Sequence, residues 1–142
     1  MARMSEEGWQ AFLVGGTRTA KVATVRADGS AHVAPVWFVV DAEGRIVFTT
    51  GAGTVKGRSL LRDPRVSLCV DDDVAPYSYA MIDGTAEVSE DPGELLHWAT
   101  VIAARYMGPG QAERYGRRNA VPGELLVKVT IRRVVAEEAV AD

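Results

Sequence analysis

KVATVRADGSAHVAPVWFVVDAEGRIVFTT, from Lys21 to Thr50, decides how the rest of the chain is read. Its β-branched and apolar residues fall into three runs, separated by Ala27-Asp28-Gly29-Ser30 and Asp41-Ala42-Glu43-Gly44. Both separators have turn chemistry, because Asp bonds its own backbone two residues on and Gly accepts a positive φ. Three strands joined by two tight turns predict an antiparallel meander. Pro35 lies inside the second strand and has no N–H to give a ladder, so it marks an edge or a bulge where backbone can face a ligand.

Working outward, Ser5 can cap a short helix that puts Trp9, Phe12 and Leu13 on one face before Gly15-Gly16 ends it. Downstream, TTGAGTVKGRSLLRDPRV (49–66) opens with glycines, and Thr54 can cap a helix that runs to about Arg62 and stops at Asp63-Pro64. VSLCV reads as a buried strand, and YSYAMIDGTAEVS as an alternating one with a bulge at Gly84. Asp91, Pro92 and Glu94 form an N-cap, first-turn proline and capping box for a helix whose apolar face carries Leu95, Trp98, Ala99, Ile102 and Tyr106. QAERYGRRN is a polar connector or a short helix, and ELLVKVTIRRVVAEEAV is a last strand. The pattern predicts an α+β fold, mainly antiparallel β, with six or seven strands closed into a small barrel carrying peripheral helices, over one domain spanning residues 1–142.

Composition narrows the function. The 142 residues are 47% hydrophobic and 25% charged, which suits an ordinary globular core. A net charge of -3 argues against nucleic acid as the main partner, and no apolar run reaches the ~20 residues of a spanning helix. The start, MARMSEEGWQAF, lacks the apolar segment of a secretory signal, so the expectation is a cytoplasmic protein with no membrane partner. Cys69 is the only cysteine, and His32 and His97 are the only histidines, so no metal site is expected.

The chemistry concentrates where Lys56, Arg58, Arg62 and Arg65 follow the glycine loop. Lys56 and the loop amides sit at the positive end of the predicted helix, which is an anion site in outline. The same residues also suit a solvated basic face, and residue types alone leave both readings open. Trp37 can lie against a ligand or pack in the core. Tyr77 and Tyr79 alternate in one strand, so they share a face that lines a pocket at a subunit interface or simply packs.

The order of a strand, an Asp-Gly turn, HVAPVWFVV, IVFTT, the glycine loop, KGRSLLRDPRVSL and YSYAMIDGTAEVS closely resembles the split β-barrel flavin and deazaflavin reductases. That superfamily includes pyridoxamine 5'-phosphate oxidase, and the chain is most similar to the actinobacterial branch that uses the deazaflavin coenzyme F420. The resemblance implies a split β-barrel (FMN-binding split barrel-like) and a homodimer with its sites between chains. It places Lys56 and Arg58 by the cofactor phosphate and acidic tail, and Thr49 and Thr50 beside its ring and ribityl chain. Pro35, Val36, Trp37, Thr54, Tyr77 and Tyr79 complete the expected cofactor-binding set. Where the FMN oxidases of this superfamily carry cations, this chain has Ala34, Val39 and Val55. The implied function is hydride transfer from reduced F420 to an electron-poor enone, quinone or tetrapyrrole-like acceptor, with the proton coming from solvent or Tyr79 and no residue assigned as catalytic. An FMN-binding pyridoxamine-phosphate-oxidase-like protein and a non-catalytic F420 carrier or sensor are the two rival readings.

Overall fold

The second of the three expected strands breaks between Val36 and Val39. The computed structural model describes residues 1–142, with strands β1 (Ala2–Arg3), β2 (Ala20–Val25), β3 (Ala31–Val36), β4 (Val39–Val40), β5 (Ile46–Gly51), β6 (Arg65–Asp72), β7 (Ser78–Ser89) and β8 (Glu124–Glu138). The helices are α1 (Glu6–Val14), α2 (Val55–Arg62), α3 (Pro92–Met107) and α4 (Ala112–Asn119), with a 3₁₀ turn at Pro109–Gln111. Both turns form as read: β2 pairs with β3 across Gly29 at φ 88°, and β4 pairs with β5 across Gly44 at φ 78°. The hairpins are separate, however, and do not form one meander.

The sheet order shows why. All pairings are antiparallel in the order β3-β2-β6-β7-β8-β5-β4, with β1 on the far end of β8. β3 and β4 are therefore the two edges of the sheet, yet only Trp37 and Phe38 separate them in the chain. Seven strands laid flat at the usual spacing would hold those edges about 29 Å apart. Three peptide units reach about 11 Å at most. The sheet must curl until its edges meet, and the result is a half-open antiparallel barrel with four helices around it. Pro35 sits on edge strand β3, opposite Lys21 of β2, where its missing N–H costs no ladder bond on the outer side.

Alternation along the strands fills the barrel. Val22, Leu68, Val70, Ile82, Leu125, Val127 and Val129 point inward and are almost fully buried, with Phe38 and Phe48 the largest side chains among them. Burial of each such side chain contributes about 1.5–3 kcal/mol. The expected bulge occurs at Gly84, where the β7–β8 register shifts and an added Cβ would collide with Val129 and the Thr130 carbonyl. On the outside, α3 seals a second cluster in which Leu95 and Ile102 cover Val39, Val47 and Leu126. Its N-terminus is capped by Asp91, which accepts from the Glu94 N–H at 2.9 Å. The capping box closes through a relay, because the Asp91 N–H donates to Ser89 Oγ while Ser89 donates to the Glu94 carboxylate. No helix is long and apolar enough to cross a membrane.

The last turn of α3 holds the crossing in place. Arg105 donates to the Phe38 carbonyl at 2.7 Å and to the Leu13, Gly15 and Gly16 carbonyls at the end of α1. The Tyr106 hydroxyl donates to the Arg18 carbonyl at 2.7 Å and accepts from the Phe38 N–H at 3.2 Å. Its ring stacks on Trp37 at 5.1 Å with an interplanar angle of 3°. Tyr106→Phe removes both hydroxyl bonds and leaves the part-buried Phe38 N–H unpaired, which should cost about 1–3 kcal/mol. Urea unfolding reads this directly, and an unchanged midpoint would show that the hydroxyl does not hold the crossing.

Candidate functional site

The crossing, β5 and the start of α2 enclose a cleft of about 450 Å³, within the range of small-molecule sites. Pro35, Val36 and Trp37 form one wall and Thr49, Thr50 and Gly51 of β5 another. Thr54 and Lys56 close the end at α2, while Ala99 and Ile102 of α3, Asn119 of α4, Glu124 of β8 and Thr19 complete the lining. Seven expected binding residues, Pro35, Val36, Trp37, Thr49, Thr50, Thr54 and Lys56, thus share one cavity. Trp37 meets both of its readings, since one ring face packs on Tyr106 while the residue also lines the cleft.

The α2 end is built to receive an anion. Gly57 lets the helix press against the β5 loop, because a Cβ there would run into the Gly51 carbonyl oxygen. Thr54 Oγ1 accepts from the Gly57 N–H at 3.0 Å and donates to the Gly51 carbonyl at 2.7 Å. Its proton is therefore committed to the loop, and the hydroxyl serves as a cap. The Thr50 hydroxyl lies 3.1 Å from the same oxygen. The Val55 and Lys56 amides, at the first two helical positions, have no intrahelical acceptor, and no acidic residue occupies that first turn. The Lys56 ammonium joins no ion pair within 4.0 Å.

The remaining cations of the cluster point elsewhere. Arg58 is exposed and lines a separate surface depression with Arg26 and Arg62. Arg62 donates to the Val25 carbonyl. Arg65 forks onto Asp63, and these hydrogen bonds pull the Asp63 carboxyl down to about 2. Only Lys56 enters the cleft. Tyr77 precedes β7 with a left-handed backbone at φ 67°, so it does not alternate with Tyr79 in one strand. Tyr79 lies on the outer face of the sheet between Asp71 and Glu137, and neither tyrosine lines the cleft within one chain.

The three positions that lack cations are also informative. Val39 is buried beneath α3 with Val47 and Leu126, where a charge would be desolvated without a partner. Ala34 faces inward opposite Val22, and Val55 borders the depression of Arg58. None of them lines the cleft. Sequence reasoning missed Glu124, which pairs with Gly51 across β5 and β8 and reaches the cleft beside Lys56. Burial raises the Glu124 carboxyl above its ordinary value, and Lys56 partly offsets that shift. Ala99, Ile102 and Asn119 were missed as well. Their presence depends on helices docking across the barrel, although ELLVKV does carry one signal in the lone charge that opens an apolar strand.

The lining fits an anionic aromatic cofactor. Pro35, Val36, Trp37 and Ile102 supply apolar walls, Thr49 and Thr50 line the β5 side, and Lys56 with its neighbouring amides supplies the charge. A family model described as pyridoxamine 5'-phosphate oxidase matches residues 6–136. No curated protein matches the chain. Among solved structures, the conserved hypothetical protein Rv2991 from Mycobacterium tuberculosis is 28% identical at a TM-score of 0.82, the match covering 96% of this chain and 86% of that one. A structure named F420 reductase is 25% identical at a TM-score of 0.68, over 87% of this chain and 94% of that one. HutZ, a heme storage protein from Vibrio cholerae, is 18% identical at a TM-score of 0.72 over 94% and 96%, a likeness that shows the fold alone. With its curled antiparallel sheet, its edges joined by two residues and a family match over nearly its whole length, the chain belongs to the pyridoxamine 5'-phosphate oxidase family of split barrels.

Proposed function

We propose that this protein is an F420-dependent oxidoreductase that reduces an electron-poor enone, quinone or tetrapyrrole-like acceptor. The observation that carries this reading is a cleft with one unpaired cation, Lys56, at the start of α2, and an apolar wall ending in Trp37. The similarity to a structure named F420 reductase points the same way. A phosphodiester carries one negative charge and suits a single lysine with free amides. The FMN phosphate monoester carries nearly two, and Lys56 is the one cation among the residues that line the cleft.

When bound and reduced, the deazaflavin supplies a hydride. The chain's own part is to bind and orient. Lys56 and the α2 amides hold the phosphate, Trp37 and Pro35 flank the ring system, and the stack of Trp37 on Tyr106 fixes that wall. The α3 residues Ala99 and Ile102 keep the inner end of the cleft apolar.

The working form in this proposal is a homodimer. The outer face of the curled sheet carries Val33 at 65% and Met81 at 46% exposure, with half-buried Cys69 and Val135 flanking Met81 in the cross-strand register. The row through Met81 and Cys69 continues across Lys21, which pairs with Asp71, to Pro35 on edge strand β3, two residues beyond Val33, so a second copy seated on it would border the cleft mouth.

Fluorescence titration tests the cofactor. Lys56→Ala should weaken F420 binding by about 1.5–3 kcal/mol with an unchanged unfolding midpoint, and an unaltered dissociation constant at low salt would refute the anion site. In the unmodified protein FMN should bind at least tenfold more weakly than F420. Equal or tighter FMN binding would replace the cofactor assignment. Reduced F420 should be oxidised by menadione or biliverdin faster with the protein than without it, whereas binding without any turnover favours a carrier. Light scattering should give a dimer at micromolar concentration, and a monomer that binds F420 at full affinity would contradict the shared site.

A further inference from the structure

We infer that Glu124 is a specificity residue of the cleft, selecting singly charged phosphodiesters and rejecting dianionic phosphate monoesters. The inference rests on reading this cleft as the cofactor site, and it adds a repulsive element to the attraction of Lys56. Glu124 opens β8, and its pairing with Gly51 of β5 sets the carboxylate on the same cavity as Lys56. The two groups interact electrostatically but form no ion pair within 4.0 Å, and the Glu124 carboxylate makes no hydrogen bond. One cation and one anion thus face the same space with neither neutralised by contact. A Cβ at Gly51 would meet Thr54 Cγ2 at 3.3 Å and lie in ordinary contact with Glu124 Oε1 at 3.6 Å, so the carboxylate sits against the Gly51 backbone beside the Thr54 cap.

Charge arithmetic gives the selectivity. With Glu124 ionised, the cleft has no net charge from these two groups. A diester brings one negative charge and can sit on Lys56 and the α2 amides with its neutral ester side toward the carboxylate. A monoester brings a second charge that must face Glu124 within the same cavity. At the effective dielectric of a partly buried site, repulsion of that size amounts to roughly tenfold in affinity or more. Discrimination of this kind works by penalising the wrong ligand and needs no additional contact with the right one.

The surroundings of Glu124 make the effect depend on its own proton. Lys56 on α2 is the one charged group coupled to it. The cleft residues from β5, α3 and α4, among them Thr50, Ala99 and Asn119, carry no titratable group, and Arg114, Arg117 and Arg118 of α4 are exposed to solvent. Burial already disfavours the carboxylate, so an incoming monoester shifts it further toward the neutral acid. Monoester binding should therefore tighten as pH falls toward the carboxyl range.

The test uses FMN as the monoester probe, riboflavin as its phosphate-free control and F420 as the diester, each titrated against the full chain and Glu124→Gln at pH 8 and pH 5. The variant should bind FMN about tenfold more tightly at pH 8 while its affinities for riboflavin and F420 change less than threefold. The FMN gain should shrink at pH 5, because burial raises the Glu124 carboxyl above its ordinary value and a larger fraction of it is neutral there than at pH 8. The FMN phosphate, with its own second pKa near 6, also loses its second charge by pH 5, and both protonations shrink the gain of the variant over the parent. Glu124→Asp, which keeps the charge, should retain the parent's rejection of FMN, and this arm stands if the Gln variant folds poorly. Equal gains for FMN and F420, or an FMN gain of the same size at both pH values, would overturn the inference and leave the cofactor site intact. Absence of binding by both FMN and F420 would overturn the cofactor reading together with it.

Discussion

Two residues joining opposite edges of a seven-strand path are the constraint on which this molecule depends. Trp37 and Phe38 can span from β3 to β4 only if the sheet closes on itself, and the closed shape then brings residues of β3 and β5 to one cleft although the two strands are not neighbours in the ladder. The cleft occupies that junction. Phe38 is fully buried and anchors the crossing in the barrel core, while Trp37 turns to the cleft wall. Hydrogen bonds of the Phe38 backbone, whose carbonyl accepts from Arg105 and whose N–H donates to the Tyr106 hydroxyl, replace the ladder that the break removes. Helix α3 therefore acts twice, covering the second apolar cluster and fixing one wall of the site.

Much of this was legible in the sequence because it rests on local chemistry. The Asp-Gly and Glu-Gly turns, the Ser5, Thr54 and Asp91 caps and the Gly84 bulge each depend on residues within a few positions of one another. The break at Trp37 was not legible, since VWFVV is a continuous apolar run that local rules read as one strand. What splits it is long-range, namely the demand of Phe38 for the core and the pull of α3 on its backbone. The same reasoning separates the site residues. Pro35 to Trp37, Thr49, Thr50, Thr54 and Lys56 lie on two segments that the resemblance already joined, and they meet in the cleft. Glu124 and Asn119 arrive through the pairing of β5 with β8 and the docking of α4, which no local pattern encodes.

The basic cluster that marks the sequence is dispersed by folding. Helical spacing sends Lys56 inward and Arg58 outward, Arg62 binds the end of β2, and Arg65 is held by Asp63. A segment that looked able to gather several charges onto one phosphate instead offers one lysine, two free amides and a carboxylate opposite. That modest charge suits a ligand whose own charge is single at this point, and it unites the cofactor reading with the inference about Glu124. Outside the cleft, Val33 and Met81 are exposed on the outer face of the sheet.

A crystal structure of the protein with F420 tests the central claim most directly, because it reads cofactor, site and assembly together. The account predicts the deazaflavin ring against Trp37 and Pro35, the phosphodiester at Lys56 and the start of α2, and a second copy across the outer face of β3. Cofactor density away from Trp37 and Lys56 would contradict it.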